Sequence, residues 1–239
     1  MNRTETDDAP IVASSDSDSY WLNQGEQTRI SDLVRWHARQ IRNANIDRVI
    51  VRHLPKDFQD DAFLAHQIAE YINRLELIAG GELPKNFQEA DALRDLKIAH
   101  VRKRTVDEIL QYGRLPTCCD ESILLVTFLR AFGVPTSFVE TFYSAALRLP
   151  NAKNHSCARI YSKQRAMYVN IEAPEIHFKP EEIDLFPFVV FREGLDSWDL
   201  DIRTYEDLKK AKADNLGMLL LKAEEVQMTR AAKYASCKE

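Results

Sequence analysis

Glycine is scarce in this chain of 239 residues: only seven are present, and no segment has the spacing of a dinucleotide-binding or P-loop phosphate motif. No run of about 18 apolar residues occurs, so the sequence predicts no membrane-spanning helix and no membrane partner. Positive charge is not in excess either, because 32 basic residues face 37 acidic ones and give a formal net charge of -5. This balance argues against a nucleic-acid partner.

Cysteine is also sparse. The four cysteines include two adjacent residues and one near the chain end, so their spacing does not suit a disulfide framework and favours a reducing, cytoplasmic compartment. A zinc site of Cys118, Cys119, His155 and Cys157 has weak support, because adjacent cysteines lack the CxxC spacing that wraps one ion. No segment resembles a calcium loop. We therefore expect no metal and no cofactor.

Acidic and serine residues are concentrated at the beginning of the chain. Residues 1–20 carry five acidic side chains against one basic side chain and have little apolar content. We expect residues 1–25 to form a disordered acidic tail, which lacks the basic and apolar regions of a signal peptide. Residues 26–239 are expected to form a single domain with a helical N-terminal part, residues 26–103.

Helical periodicity dominates the first half of the chain, and a period of two follows. Helices are predicted near residues 30–41, over about 60–79 before Gly80, from the capping box at Thr105 to Gly113, and from Thr117 to Gly133. The predicted strands are 134–142, 155–161, 167–173 and 186–191, with a turn at 162–165. Further helices are predicted from Thr204 and from about residue 216. Helices followed by an antiparallel sheet define an α+β class.

Cys118 falls in the first turn of the helix that begins at Thr117. Free backbone N–H groups and the positive end of the helix dipole lie there, and both favour a thiolate over a thiol. The N–H of the cysteine itself can stabilise a developing oxyanion. Asp120 and Glu121 in the same turn would oppose the thiolate if they lean toward it. A basic partner is therefore required.

His155 is the candidate basic partner, because it opens a predicted strand. With the turn at 162–165, Tyr161 faces Ala166, and counting back along the two strands puts His155 opposite Glu172. Glu172 could then hold the tautomer and orientation of the imidazole. Asn170 projects from the same face two residues earlier and could do the same after a shift of register.

Several segments resemble the transglutaminase-like superfamily. The pattern of that family places a helix-start cysteine twelve residues before the arginine of an LRAxGIPA segment, a spacing that Cys118 and Arg130 have and Cys119 does not. Glu172 takes the place of the family's aspartate, and Thr117 that of its usual glycine. The segments that carry the resemblance to bacterial and archaeal members are Arg104–Leu110, Thr117–Glu121, Leu129–Pro135, Val139–Thr141, His155–Tyr161, Tyr168–Glu172 and Gly194–Asp199.

The resemblance implies a papain-like α+β fold, with the nucleophile helix packed on an antiparallel sheet and with extra helices at both ends of the chain. It further implies that Cys118 attacks an amide of a peptide or protein substrate to form a thioester, that His155 transfers protons, and that Glu172 orients His155. Gln111 and Tyr112 are conceivable second oxyanion donors. Water or an amine could resolve the thioester, and we expect hydrolysis. The alternative is a transglutaminase-like module that binds a peptide or protein without turnover.

Overall fold

The computed structural model describes residues 17–42, 52, 54–78, 95–149, 154–162, 165–172, 175–180 and 187–236. Helices precede a five-stranded antiparallel sheet in this part of the chain, and further helices follow it. This arrangement confirms the α+β class and fits a papain-like fold. The helices are Ser17–Tyr20, Asp32–Arg42, Gln59–Arg74, Val106–Tyr112, Cys118–Ala131, Tyr205–Asp214 and Leu216–Ser236, with 3-10 turns at Lys56–Phe58 and Ser144–Ala146. Residues 95–100 are helical as well. The strands are β1 (Thr136–Tyr143), β2 (Asn154–Ser162), β3 (Arg165–Glu172), β4 (Glu175–Pro180) and β5 (Phe188–Gly194).

Local signals set the ends of the helices around the predicted site. Thr105 and Glu108 form the predicted capping box, in which each side chain bonds the backbone N–H of the other residue. The hydroxyl of Thr117 accepts the N–H of Asp120 at 3.3 Å and so fixes the start of the Cys118–Ala131 helix. That helix stops at Gly133, whose φ of +83° lies in the left-handed region that favours glycine.

The strands are arranged in the order β4-β3-β2-β1-β5, and all neighbouring strands are antiparallel. The predicted pairing of Tyr161 with Ala166 is confirmed. Ser162 pairs with Arg165, so these two residues belong to the strands and not to the turn in which the sequence analysis placed them. The sequence analysis missed β4, an edge strand that ends at Pro180, where the lost backbone N–H is tolerated.

The Cys118–Ala131 helix is the centre of the core. Every residue from Cys119 to Arg130 is buried, because the helix packs on the sheet on one side and on the Gln59–Arg74 and Asp32–Arg42 helices on the other. The sheet meets it with inward-facing apolar side chains that include Phe138, Ile160 and Val169. This packing holds the first turn of the helix against β2.

The helix predicted over residues 60–79 ends earlier, at Arg74. Leu75 is already extended, with ψ of 142°. The backbone that follows bonds to Arg114: the Arg114 N–H donates to the Glu76 carbonyl and the Ile78 N–H to the Arg114 carbonyl, both at 2.9 Å. These distant partners replace the helical ones that periodicity predicts. The predicted stop at Gly80 lies outside the described residues.

Residues 17–25 were predicted as part of a disordered tail, and for these residues the prediction was wrong. The ring of Trp21 stacks on Tyr161 with centroids 5.2 Å apart, and its carbonyl accepts the Arg130 Nε at 3.0 Å and the Thr136 N–H at 3.2 Å. The prediction rested on the excess of acidic residues and did not consider that aromatic packing of Trp21 could anchor this segment. Residues 1–16 lie outside the described part, and the single domain 26–239 stays a prediction.

No helix within the described ranges combines the length and the apolar character needed to cross a membrane.

Candidate active site

Cys118 is the first residue of the central helix, and its sulfur lies against β2. The Sγ atom accepts the backbone N–H of Ser156 at 3.5 Å. One helical turn later, the hydroxyl of Ser122 donates to the carbonyl of the same Ser156 at 2.9 Å. Two side chains on one face of the helix therefore hold both backbone groups of the residue that directly follows His155.

These two hydrogen bonds form at the beginning of β2, where no described residue of β3 pairs with it. Among the described residues, the pairing of the two strands runs from Ser162 and Arg165 to Ala158 and Val169. At Ser156 the helix supplies the hydrogen-bonding partners instead. The first turn of the helix thus meets the beginning of β2, the position at which the sequence predicts the catalytic base.

The imidazole of His155 is held by Asn170 and by an aromatic ring. Its Nε2 atom is hydrogen-bonded to the amide Oδ1 of Asn170, and its ring packs on Phe188 with centroids 5.1 Å apart. An amide oxygen can only accept, so this bond requires the proton to be on Nε2. In the neutral ring Nδ1 is then the basic nitrogen, and this is the tautomer that a general base acting through Nδ1 needs.

Glu172, the predicted orienting residue, lies in β3 on the same face as Asn170. Its side chain is outside the described residues, so its role stays a prediction. Asn170, the alternative of the sequence analysis, has its amide oxygen hydrogen-bonded to Nε2 of the imidazole.

The two acidic residues beside Cys118 are both paired with arginine. Asp120 forms a salt bridge with Arg104, and Glu121 forms one with Arg114 at 3.1 Å. All four side chains are at least nine-tenths buried. The negative charges of Asp120 and Glu121 would disfavour a Cys118 thiolate. The two neighbouring guanidinium groups counter this effect.

Burial shifts the pKa values of these two carboxylates. It raises the pKa of Glu121 to about 7. The charge of Asp120 adds to this rise, whereas Arg114 and His155 oppose it. Burial likewise raises the pKa of Asp120, against the pull of Arg104. Glu121 is thus an ionisable group near His155 that titrates close to neutral pH.

Among the cysteines in the described part of the chain, Cys118 alone is half-exposed. Cys119 and Cys157 are buried, and burial raises the pKa of both thiols. Because the thiolate is the nucleophile, the two buried thiols are poorly suited to attack a substrate. This contrast supports the alignment of the family pattern on Cys118. Cys237 lies outside the described residues.

A cavity of about 340 Å³ adjoins the imidazole. Its wall includes His155, Asn170, Tyr168, Phe188 and Lys179, so it combines aromatic surface with polar groups. Its volume falls at the lower end of the range of about 300–1,000 Å³ typical of small-ligand sites. The cavity has room for one side chain or a small acyl group.

The described residues contain no cluster of three or more histidine, cysteine or carboxylate side chains that could hold a metal ion. Cys118, Cys119, His155 and Cys157, which we weighed as zinc ligands, all lie in the part of the chain that this statement covers.

The sequence analysis missed the buried polar residues behind the site, namely Ser122, Ser156, Glu140 and Arg102. One signal was available in β1. Glu140 lies two residues after Phe138, so both side chains are on the same face of the strand and point to the core, where an unpaired carboxylate would be costly. No local signal identifies Arg102, which comes from a loop.

The fold and the position of Cys118 define the class of protein: a papain-like α+β fold with a cysteine at the start of its central helix. Residues 86–173 match the sequence profile of the transglutaminase-like superfamily, and this segment includes Cys118, His155, Asn170 and Glu172. The match supports the general assignment to a cysteine-dependent enzyme family.

A solved structure with similarity to this chain is a crystal structure described as that of a candidate cysteine protease from Cytophaga hutchinsonii. The sequence identity is 14% and the TM-score 0.45, and the alignment covers 80% of this chain. The chain spans about half, 51%, of that protein. A search of curated proteins found no significant match.

Proposed function

We propose that this chain is a cysteine-dependent acyl-transfer enzyme that hydrolyses an amide or peptide bond through a thioester on Cys118. One observation carries the proposal: the sulfur of Cys118, a half-buried residue, accepts the N–H of Ser156, the residue next to a histidine whose Nε2 is already bound to Asn170. Nucleophile, base and orienting group thus come from the helix, β2 and β3.

The first half of the reaction transfers the acyl group to sulfur. The Cys118 thiol gives its proton to Nδ1 of His155, and the sulfur attacks the carbonyl carbon of the amide. The oxygen of the tetrahedral intermediate gains negative charge beside the Cys118 N–H at the positive end of the helix. When the C–N bond breaks, His155 returns the proton to the leaving amine. Gln111 or Tyr112 remains a conceivable second oxyanion donor.

The second half regenerates the enzyme. His155 takes a proton from water as the water oxygen attacks the thioester carbon, and the C–S bond then breaks. The carboxylic acid leaves, and the proton returns to the sulfur of Cys118. An amine in place of water would give a transamidase by the same steps, and the family pattern alone favours neither acceptor.

The group that orients His155 has two candidates. The resemblance assigns this role to Glu172, and the hydrogen bond to Nε2 supports Asn170. An amide oxygen on Nε2 fixes the tautomer in which Nδ1 is the basic nitrogen, and a carboxylate would do the same while stabilising the imidazolium more strongly.

The proposal is tested by trapping the nucleophile. The full chain is treated with peptidyl chloromethyl ketones of varied side chain, and the modified residue is located by mass mapping. We expect modification at Cys118, which is only partly buried, and not at the buried Cys119 or Cys157. Cys118→Ala should remove the labelling, and Cys119→Ala should keep it.

A chain whose Cys118 is not captured by any of these reagents would contradict the enzyme assignment. The same chain would then be treated as a binding module, which would retain affinity for peptides without covalent capture. Release of free acid from an amide substrate by the wild type, and not by Cys118→Ala, would establish hydrolysis.

A further inference from the structure

Glu140 places a carboxylate behind the candidate active site, in the middle of the protein. It lies on β1, the strand between β2 and β5, and its side chain is 0% exposed. Three donors from two different parts of the chain converge on its two oxygens. A buried carboxylate so fully bonded has a fixed position, and it fixes the groups that bond it.

Two of these donors are the residues on either side of His155. The side-chain amide of Asn154 donates to Oε1 of Glu140 at 3.0 Å, and the hydroxyl of Ser156 donates to Oε2 at 3.1 Å. Glu140 therefore holds β2 immediately before and immediately after the histidine. Ser156 is also the residue whose backbone is gripped by Cys118 and Ser122.

Arg102 supplies the third donor and the countercharge. Its Nη2 atom lies 2.6 Å from Oε2 of Glu140 and 3.4 Å from the hydroxyl of Ser156, and its side chain is 1% exposed. Its φ of +67° is one that non-glycine residues rarely adopt. The backbone carbonyl of Arg102 accepts the indole N–H of Trp198 and the side-chain amide of Gln27, which anchor it.

Charge strengthens this arrangement. Burial acts to lower the pKa of Arg102, but the carboxylate of Glu140 and the neighbouring Cys119 and Cys118 sulfurs together hold it above its ordinary value. The guanidinium therefore stays charged beside the nucleophile. A buried ion pair is weak evidence for stability, because apolar residues of similar volume often serve as well in a core. The location of the pair, under the two neighbours of His155, is what requires explanation.

We propose that Glu140, with Arg102 as its countercharge, is a positioning residue that holds the Asn154–Ser156 segment so that His155 and the Ser156 N–H both face Cys118. This inference rests on the proposed function, since positioning matters only if His155 acts on Cys118. Neither residue contacts a reacting atom, so the effect must pass through the backbone of β2.

The experiment removes the charge pair and keeps the volume. Glu140→Gln alone leaves the guanidinium of Arg102 buried without a carboxylate and could unfold the protein, so the principal variant combines Glu140→Met with Arg102→Met. The matched control combines Glu193→Met with Arg159→Met, because that ion pair, at 2.8 Å, lies in the same sheet and bonds Tyr161 and Ser137, not the neighbours of His155. Circular dichroism and thermal unfolding establish that both variants fold.

Two readouts are taken from the full chain. The first is the rate of Cys118 alkylation by iodoacetamide at neutral pH, followed by mass mapping. The second is hydrogen exchange of the Ser156 amide by NMR, which reports the contact with Cys118 without any chemistry at the sulfur. We expect the principal variant to alkylate Cys118 more slowly than the wild type and to lose about fivefold of the Ser156 protection, the effect of one hydrogen bond. The control should show neither change.

The inference is overturned if the folded principal variant keeps the alkylation rate and the Ser156 protection of the wild type, or if the control loses as much of both. A wild-type chain whose Cys118 alkylates like a free thiol would contradict the proposed function instead. In that case the exchange of the Ser156 amide still decides whether Glu140 holds this part of β2.

Discussion

The hydroxyl of Ser122 donates to the carbonyl of Ser156 at 2.9 Å, one helical turn away from the point where Cys118 accepts the N–H of the same residue. Ser122 is itself buried. Helix and strand are therefore joined at two points on a single residue, and the distance between nucleophile and base depends on both. A side chain that never meets substrate thus affects the reactivity of the sulfur.

Replacing Ser122 by alanine should weaken this joint. The buried carbonyl of Ser156 would lose its donor, at a cost of about 1–3 kcal/mol in the free energy of unfolding, and Cys118 should label more slowly near pH 6. Thr127→Val is the control, because the Thr127 hydroxyl donates at 2.7 Å to a carbonyl within the same helix, that of Ile123. Denaturant unfolding and alkylation rates measure both effects. Equal loss of reactivity in the two variants would show that Ser122 acts only through general helix stability.

The two adjacent cysteines should behave oppositely. Cys118→Ala should abolish alkylation by peptidyl electrophiles and any hydrolysis, at little cost in stability, because the side chain is half-exposed. Cys119→Ala should keep most of the reactivity and lose about 1 kcal/mol of stability, since it removes a buried sulfur from the core. Mass mapping and thermal unfolding provide the comparison. Loss of activity in Cys119→Ala alone would mean that the family pattern is aligned one residue too early.

Local chemistry explains which parts of the fold could be predicted. The capping box at Thr105 and the cap at Thr117 each involve residues within one turn, so the sequence carries the whole signal. The pairing of Tyr161 with Ala166 likewise follows from a short connection. These short-range features were sufficient to predict the nucleophile helix and the β2–β3 hairpin that carries His155.

What could not be predicted depends on partners distant in the chain. The Gln59–Arg74 helix ends where the backbone that follows it forms hydrogen bonds with the backbone of Arg114. The ring of Trp21 stacks on Tyr161. The pairing of Glu140 with Arg102 spans 38 residues. Charge counts and periodicity do not identify partners that are so far apart in the chain, so Arg102 could not be predicted as the partner of Glu140.

The choice between Asn170 and Glu172 can be decided by substitution. Because Asn170 bonds the Nε2 of His155, Asn170→Ala should lose a large part of the roughly 10²–10⁴-fold that general acid–base catalysis contributes to the rate. Glu172→Gln should change the rate by less than about tenfold, because it leaves that hydrogen bond in place. The pH profile of Cys118 alkylation is the measurement for both. A larger loss in Glu172→Gln would restore the assignment that the resemblance implies.

Glu121 should give the protein a dependence of stability on pH that can be traced to one side chain. Its folded pKa of about 7 lies above its ordinary value of 4.5, so between these values the folded state binds more protons than the unfolded state. The contribution of Glu121 to stability is therefore fully present below about pH 4.5 and is lost as the pH rises through about 7.

Glu121→Gln removes this titration and keeps a group that can accept from Arg114. Denaturant unfolding at several pH values between 4.5 and 8 should show that the wild type loses stability with rising pH relative to the variant. Glu175→Gln, at an exposed carboxylate, is the control and should run parallel to the wild type. If Glu121→Gln and the wild type lose stability in parallel over this range, the carboxyl ionises near its ordinary pKa, and Glu121 contributes no titration near neutral pH beside His155.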